Sequence, residues 1–164
     1  MPDPNPLQVQ SFDHITLIVA DLESTREFYV DKLGMTEHPR PAFDFPGAWF
    51  GIGNIQIHAT LESDLAGMAG WGDRKVKSIS RGHHFAFEVP DVAAAAEAAK
   101  ENGIKIGDGP KQRPDGAFQV YLYDPDDHLV ELFQPRRKVD AVTKTLTRER
   151  QLNPRPYSSS PPNT

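Results

Sequence analysis

Phe12-Asp13-His14-Ile15-Thr16-Leu17-Ile18-Val19-Ala20-Asp21-Leu22 and Gly82-His83-His84-Phe85-Ala86-Phe87-Glu88-Val89-Pro90-Asp91-Val92 are two copies of one pattern. His84 follows His14, and Asp91 follows Asp21, at the same distance of 70 residues. A repeat of this length is the signature of a duplicated supersecondary unit, and it must be found before elements are assigned. Each copy alternates apolar and other residues with a period of two, as a half-buried strand does. Ile15, Leu17 and Val19 share one face, with His14, Thr16 and Ile18 on the other; Phe85, Phe87 and Val89 likewise oppose His84, Ala86 and Glu88. The two histidines therefore hold equivalent places on equivalent sheet faces.

Downstream of each strand the period changes. Asp21 and Asp91 are natural N-caps, because a short carboxylate accepts from the free N–H groups of a first helical turn. The first helix then lines up Leu22, Thr25, Phe28, Tyr29 and Leu33 and stops at Gly34; the second runs through Ala93–Ala99 and stops at Asn102-Gly103. Strand-like runs follow in both copies, 48–52 and 54–59 in the first, 118–123 and 128–133 in the second. Gly53-Asn54 and Asp124-Pro125-Asp126-Asp127 supply the hairpin turns. Counting from those turns, His58 and Glu131 superpose with a shift of 73. The order in each half is β-α-β-β-β, with residues 62–80 connecting the halves. The expected fold is α+β, a 164-residue chain with one domain over 11–134 made of modules 11–61 and 79–134.

Composition narrows the function. The chain has no cysteine, which excludes disulfides, thiolate metal sites and a cysteine nucleophile. Residues 135–164 carry seven basic side chains against Asp140 and Glu149, a surplus of five, so with a total of −5 the first 134 residues carry −10. An acidic body argues against nucleic acid as a partner. No apolar run approaches the roughly 20 residues that span a bilayer, and the proline-broken start lacks the features of a signal peptide. A soluble, cytoplasmic protein without membrane or nucleic-acid partners is expected. Residues 1–10 read as a flexible N-terminus. The tail reads as basic and partly disordered, with a short helix near 138–150.

Repeat-equivalent positions hold His14 and His84 at the start of each module and His58 and Glu131 at the end. Three imidazoles and a carboxylate form an N/O set suited to divalent Zn, Ni, Co, Mn or Fe, and not to calcium. Each histidine has a plainer reading as a satisfied strand residue. Glu131, flanked by Leu129, Val130, Leu132 and Phe133, needs a partner or a wet cavity, because an unpaired buried carboxylate costs several kcal/mol. Gln56 shares a strand face with His58 and is the alternative fourth ligand. His83 is out of phase with His84 and should face the helix side; His38 and His128 read as surface residues.

The segments HITLIVADLESTREFYVDKLGM, FDFPGAWFGIGNIQIHA, HFAFEVPDVAAAAEAAKENGI and DPDDHLVELF, in this order, resemble the vicinal oxygen chelate superfamily. That superfamily includes glyoxalase I, bleomycin-resistance proteins, extradiol dioxygenases, methylmalonyl-CoA epimerases and fosfomycin thiol transferases. The resemblance covers about residues 11–134 and is most marked toward glyoxalase-I-like proteins. It implies paired βαβββ modules whose sheets curl into a cup around a metal held by His14, His58, His84 and Glu131. Glyoxalase I and epimerase members usually carry Glu or Gln where His58 stands, so this position departs from their pattern. Thr16 matches a threonine of the fosfomycin enzymes.

The resulting expectation is a divalent-metal enzyme of the glyoxalase type, a lyase or isomerase acting on a small substrate with vicinal oxygens. The ion would serve as Lewis acid, and Glu131 or a metal-bound water would move the proton. Glutathione or another thiol is the possible cosubstrate, and a homodimer the expected assembly. An extradiol-type dioxygenase is the alternative enzyme. A non-catalytic binder of the bleomycin-resistance type, its pocket lined by Trp49, Phe50, Phe118 and Tyr121, is the alternative class.

Overall fold

A computed structural model describes residues 7–8, 10–71 and 78–136. The first module comprises β1 (His14–Val19), α1 (Leu22–Arg26) continued by a π-helical stretch (Glu27–Lys32), β2 (Thr36–His38), β3 (Gly47–Ile52) and β4 (Ile55–Leu61). A 3-10 turn (Ile79–Arg81) leads into the second, with β5 (Phe85–Glu88), α2 (Val92–Glu101), β6 (Ile106–Gln112), β7 (Phe118–Tyr123) and β8 (Leu129–Gln134). The βαβββ order is thus present twice. The tail helix expected near 138–150 lies outside the described residues, as do residues 1–6 of the N-terminus.

Each module folds into its own four-stranded mixed sheet, ordered β1-β4-β3-β2 and β5-β8-β7-β6. First and last strands run parallel, and the others antiparallel. Registers repeat as well: Thr16 faces His58 in one sheet and Ala86 faces Glu131 in the other. Asp21 accepts from Ser24 N at 2.7 Å, and Asp91 from Ala93 N and Ala94 N at 2.9 and 3.0 Å, which closes the first turn of each helix as their side chains dictate.

One apolar core joins the modules on the helix side. Leu17, Val19, Phe28, Tyr29, Phe50 and Ile57 of the first module form a single cluster with Val92, Ala96, Val120, Leu122 and Val130 of the second. Phe50 is fully buried in that cluster, so it does not line a pocket with Trp49, its neighbour on the opposite face of β3. The modules are also joined by a polar knot. Asp124 Oδ2 accepts from the Tyr29 hydroxyl and pairs with His128 Nδ1, both at 2.8 Å, while Oδ1 accepts from Asp126 N and His128 N. His128 is 1% exposed, which corrects its reading as a surface residue: the turn folds its ring inward onto Asp124, with Trp71 edge-on at 5.3 Å. Burial and the Asp124 charge raise the Tyr29 pKa well above the ordinary phenol value.

Candidate metal and substrate site

The period of two places the site residues on the sheet faces turned away from the helices. His14 and Thr16 of β1 are exposed, as are His84 and Ala86 at β5, while Leu17 and Val19 on the other face of β1 are buried. Within the first module His14 and His58 stack, ring centroids 4.0 Å apart and planes 12° from parallel. Trp49, register partner of His58, stacks on its other side at 4.3 Å and 12°. In the second module His84 Nε2 lies 3.1 Å from Glu131 Oε2. Tyr121, register partner of Glu131, meets the His84 ring edge-on at 5.4 Å, with its hydroxyl near enough to the Glu131 carboxylate to feel its charge. Each module therefore offers the same triplet: a histidine from the start of the unit, a ligand-type side chain from its last strand, and an aromatic residue beside it.

Hydrogen bonds behind the imidazoles fix which nitrogen is free. Asp13 Oδ2 lies 2.7 Å from His14 Nδ1, and the Gly82 carbonyl lies 2.9 Å from His84 Nδ1. Both partners only accept, so each Nδ1 carries a proton, and Nε2 is the nitrogen left to face a second partner. In the second module His84 Nε2 meets the Glu131 carboxylate at 3.1 Å, a separation that a proton on Nε2 bridges as an ion pair. His58 Nε2 is bonded to Gln56 Oε1 at 3.1 Å, so the two candidates for the fourth position are partners of each other. Burial first, then the charge of His14, lowers the His58 pKa below its ordinary value, which favours the neutral, metal-competent form.

Glu131 is 4% exposed, and the partner that its sequence context demands is provided by several groups. Besides His84 and Tyr121 it meets Arg113 Nη1 at 3.4 Å, a long contact; Arg113 also bonds Asp115 at 2.9 Å. Burial and the nearby Glu131 charge raise the Tyr121 pKa, which keeps its hydroxyl protonated. Arg113 was not evident from sequence, because it comes from a hairpin whose side-chain directions follow no period. His38, read as a surface residue, is half-buried. It lies across Gly51 so closely that an added Cβ there would be 2.5 Å from its ring, which puts it on the face of β3 that carries Trp49.

The four predicted ligands are thus brought together in two pairs, His14 with His58 and His84 with Glu131. Among the described residues no group of three or more His, Cys, Asp or Glu side chains is placed to hold a metal ion.

The model of the Glyoxalase/Bleomycin resistance protein/Dioxygenase superfamily matches residues 11–132. The chain belongs to this superfamily. Among curated members of the superfamily it is similar to a Synechocystis protein named "Probable lactoylglutathione lyase", 28% identical over 77% of this chain and 97% of the relative. Among solved structures, a glyoxalase family protein from Bacillus anthracis has a TM-score of 0.60 and 26% identity, covering 78% of this chain and 97% of that one. A fosfomycin resistance protein from Listeria monocytogenes has a TM-score of 0.61 at 24% identity, covering 78% and 93%, and speaks for the fold alone. The superfamily scaffold hosts several chemistries, so the reaction must be argued from the site.

Proposed function

We propose that this superfamily member is a divalent-metal-dependent lyase or isomerase of the glyoxalase type, whose site is completed when two chains pair. The observation that carries the reading is the convergence of His84 Nε2 and the Glu131 carboxylate, matched in the other module by the stacked His14 and His58. His14 and His58, or Gln56 in place of His58, would hold the ion from one chain, and His84 and Glu131 from the other. The set is three neutral nitrogens and one carboxylate, a fit for Zn, Ni, Co, Mn or Fe. When bound, the ion supplies Lewis-acid polarisation of two vicinal substrate oxygens.

Pairing is supported by what the chain leaves open. Among the described residues β1 is paired only with β4, and β5 only with β8, so each sheet has a free edge strand. Between these strands runs an apolar cleft of about 430 Å³ lined by Ile15, Ile55, Ile57, Phe85 and Phe87, with Phe12 61% exposed at its rim. A second chain would cover both, and its opposite module would complete each half-site.

Proton transfer falls to Glu131. A histidine ligand has one nitrogen on the ion and the other held by its acceptor, whereas a carboxylate keeps a second oxygen. Glu131 would take the proton from the carbon that bears one vicinal oxygen and return it to the neighbouring carbon that bears the other, while the hydroxyl proton of the first oxygen passes to the second. Tyr121 and Arg113 orient the carboxylate for both transfers through the contacts described. Elemental analysis of protein purified without chelator should find one divalent ion per chain, and turnover of hemithioacetals should follow metal content. Protein that is metal-free, or that keeps its metal in the His14→Ala, His84→Ala and Glu131→Ala variants alike, would overturn the reading.

A further inference from the structure

The segment between β2 and β3, Pro39–Pro46, is not used by the metal chemistry, yet it stands against the site. Phe43 and Phe45 are 48% and 43% exposed, with centroids 5.3 Å apart and planes 30° from parallel. Phe43 lies 6.0 Å from Trp49, which stacks on His58, which stacks on His14. A file of aromatic rings therefore runs from a candidate metal ligand out to an exposed loop. Exposed phenyl rings in contact with each other are costly to keep in water unless a ligand covers them.

A cation is built into the same ledge. The Arg40 guanidinium lies 4.7 Å from the Phe43 centroid and 4.6 Å from that of Phe45, and its Nη2 donates to the Phe45 carbonyl at 3.0 Å. It passes over Gly47, where an added Cβ would meet Nε and Nη2 at 3.3 Å, and so sits beside the strand that carries Trp49. Its charge is near enough to His58 to contribute to the lowered pKa of that residue. Arg26, Lys32, Lys100, Lys105, Lys111 and Arg113 each pair with a carboxylate. Half-buried Arg40 pairs with none among the described residues, so most of its five N–H donors remain available. A guanidinium seated against two rings, with its orientation set by a carbonyl, is prepared for a planar anion.

We propose that Arg40, Phe43, Phe45 and Trp49 form a recognition platform for a planar, conjugated carboxylate, and that the substrate of this site is an aromatic or similarly flat acid rather than an aliphatic one. The flat part lies along Phe43 and Trp49, the carboxylate meets Arg40, and the vicinal oxygens reach toward His58 and His14. The proposal rests on the metal-site reading for the last of these contacts, but not for the first two.

Calorimetric titration of the protein as purified, with 2-naphthoate as probe, tests the platform directly. The probe should bind about tenfold or more tightly than cyclohexanecarboxylate, which has the charge without the plane, and than 2-naphthalenemethanol, which has the plane without the charge. Arg40→Gln should bring naphthoate down to the level of the alcohol, with Arg40→Lys in between. Phe43→Ala combined with Phe45→Ala should remove the preference for naphthoate over cyclohexanecarboxylate. Metal content, measured on the same samples, should not change in any of these variants. Equal binding of the three probes, or variants that bind naphthoate like the wild type, would overturn the proposal while leaving the metal reading intact. Variants that lose naphthoate binding only because the oligomeric state changes would make the ledge a subunit contact and overturn it too. Selective naphthoate binding to a protein that holds no metal would sustain the platform and refute the metal reading.

Discussion

A complementation experiment decides whether the site is shared between chains. His14 and His84 are both exposed and lie outside the apolar core, so each can be changed to Ala with little effect on folding. Either change removes one of about four ligands from every site of a homodimer, and metal retention should fall at least tenfold. In a heterodimer of one His14→Ala chain and one His84→Ala chain, both losses fall in the same site. The other site draws its first-module half from the His84→Ala chain and its second-module half from the His14→Ala chain, and is intact. Two different affinity tags, co-expression and sequential purification would isolate that heterodimer. It should hold about half the metal of the wild type per dimer and show about half the turnover, as a two-fold pair with one intact site must. A heterodimer as empty as the two homodimers would refute sharing and require each chain to close its own site.

Glu131→Gln should keep part of the metal while turnover drops about 10²-fold or more, the effect of losing a general base; His58→Gln should be milder, because an amide can still ligate. Comparable metal in His58→Ala and wild type, with loss in Gln56→Ala, would assign the fourth position to Gln56. Tyr29→Phe should destabilise the protein by about 1–2 kcal/mol in urea unfolding, since Asp124 Oδ2 keeps its His128 partner. The Tyr29 pKa is raised in the folded state, so its contribution to stability is complete below pH 10.0, the unperturbed value, and declines as pH rises through the higher folded pKa. Wild type should therefore lose stability on the alkaline side of pH 10.0 more steeply than Tyr29→Phe, and identical slopes would count against the buried phenol.

The parts of this molecule that could be read from its sequence are those governed by a period. Alternation in β1 and β5 placed His14 and His84 on the outer face and Leu17 and Val19 inside, and the 70-residue repeat paired them. Counting from the hairpin turns was enough to align His58 with Glu131, because strand register is fixed once one face is buried. Side chains on turns have no such constraint. The DPDDH turn bends His128 inward because Asp124 collects two backbone N–H groups and two side chains, one of them Tyr29 from 95 residues away. Arg40 and Arg113 reach the site from loops, and only tertiary packing sets their direction. The separation of the ligands into two pairs was equally hidden: the repeat shows which positions are equivalent, not which copies meet.

The parallel pairing of the first and last strands has a consequence for how such a protein can change. His14 and His58 come from the two ends of a module and are locked to each other by β1 and β4, whereas the loop that bears Arg40, Phe43 and Phe45 joins the edge strand β2 to its neighbour β3. Residues that would grip an ion and residues that would choose a molecule are thus carried on different segments, which meet where Trp49 stacks on His58. Insertions, deletions or wholesale grafts between His38 and Gly47 can be absorbed at the sheet's far margin without shifting the imidazoles. A lineage built on this frame can exchange its preferences by trading one short segment while β1 and β4 go on holding His14 against His58.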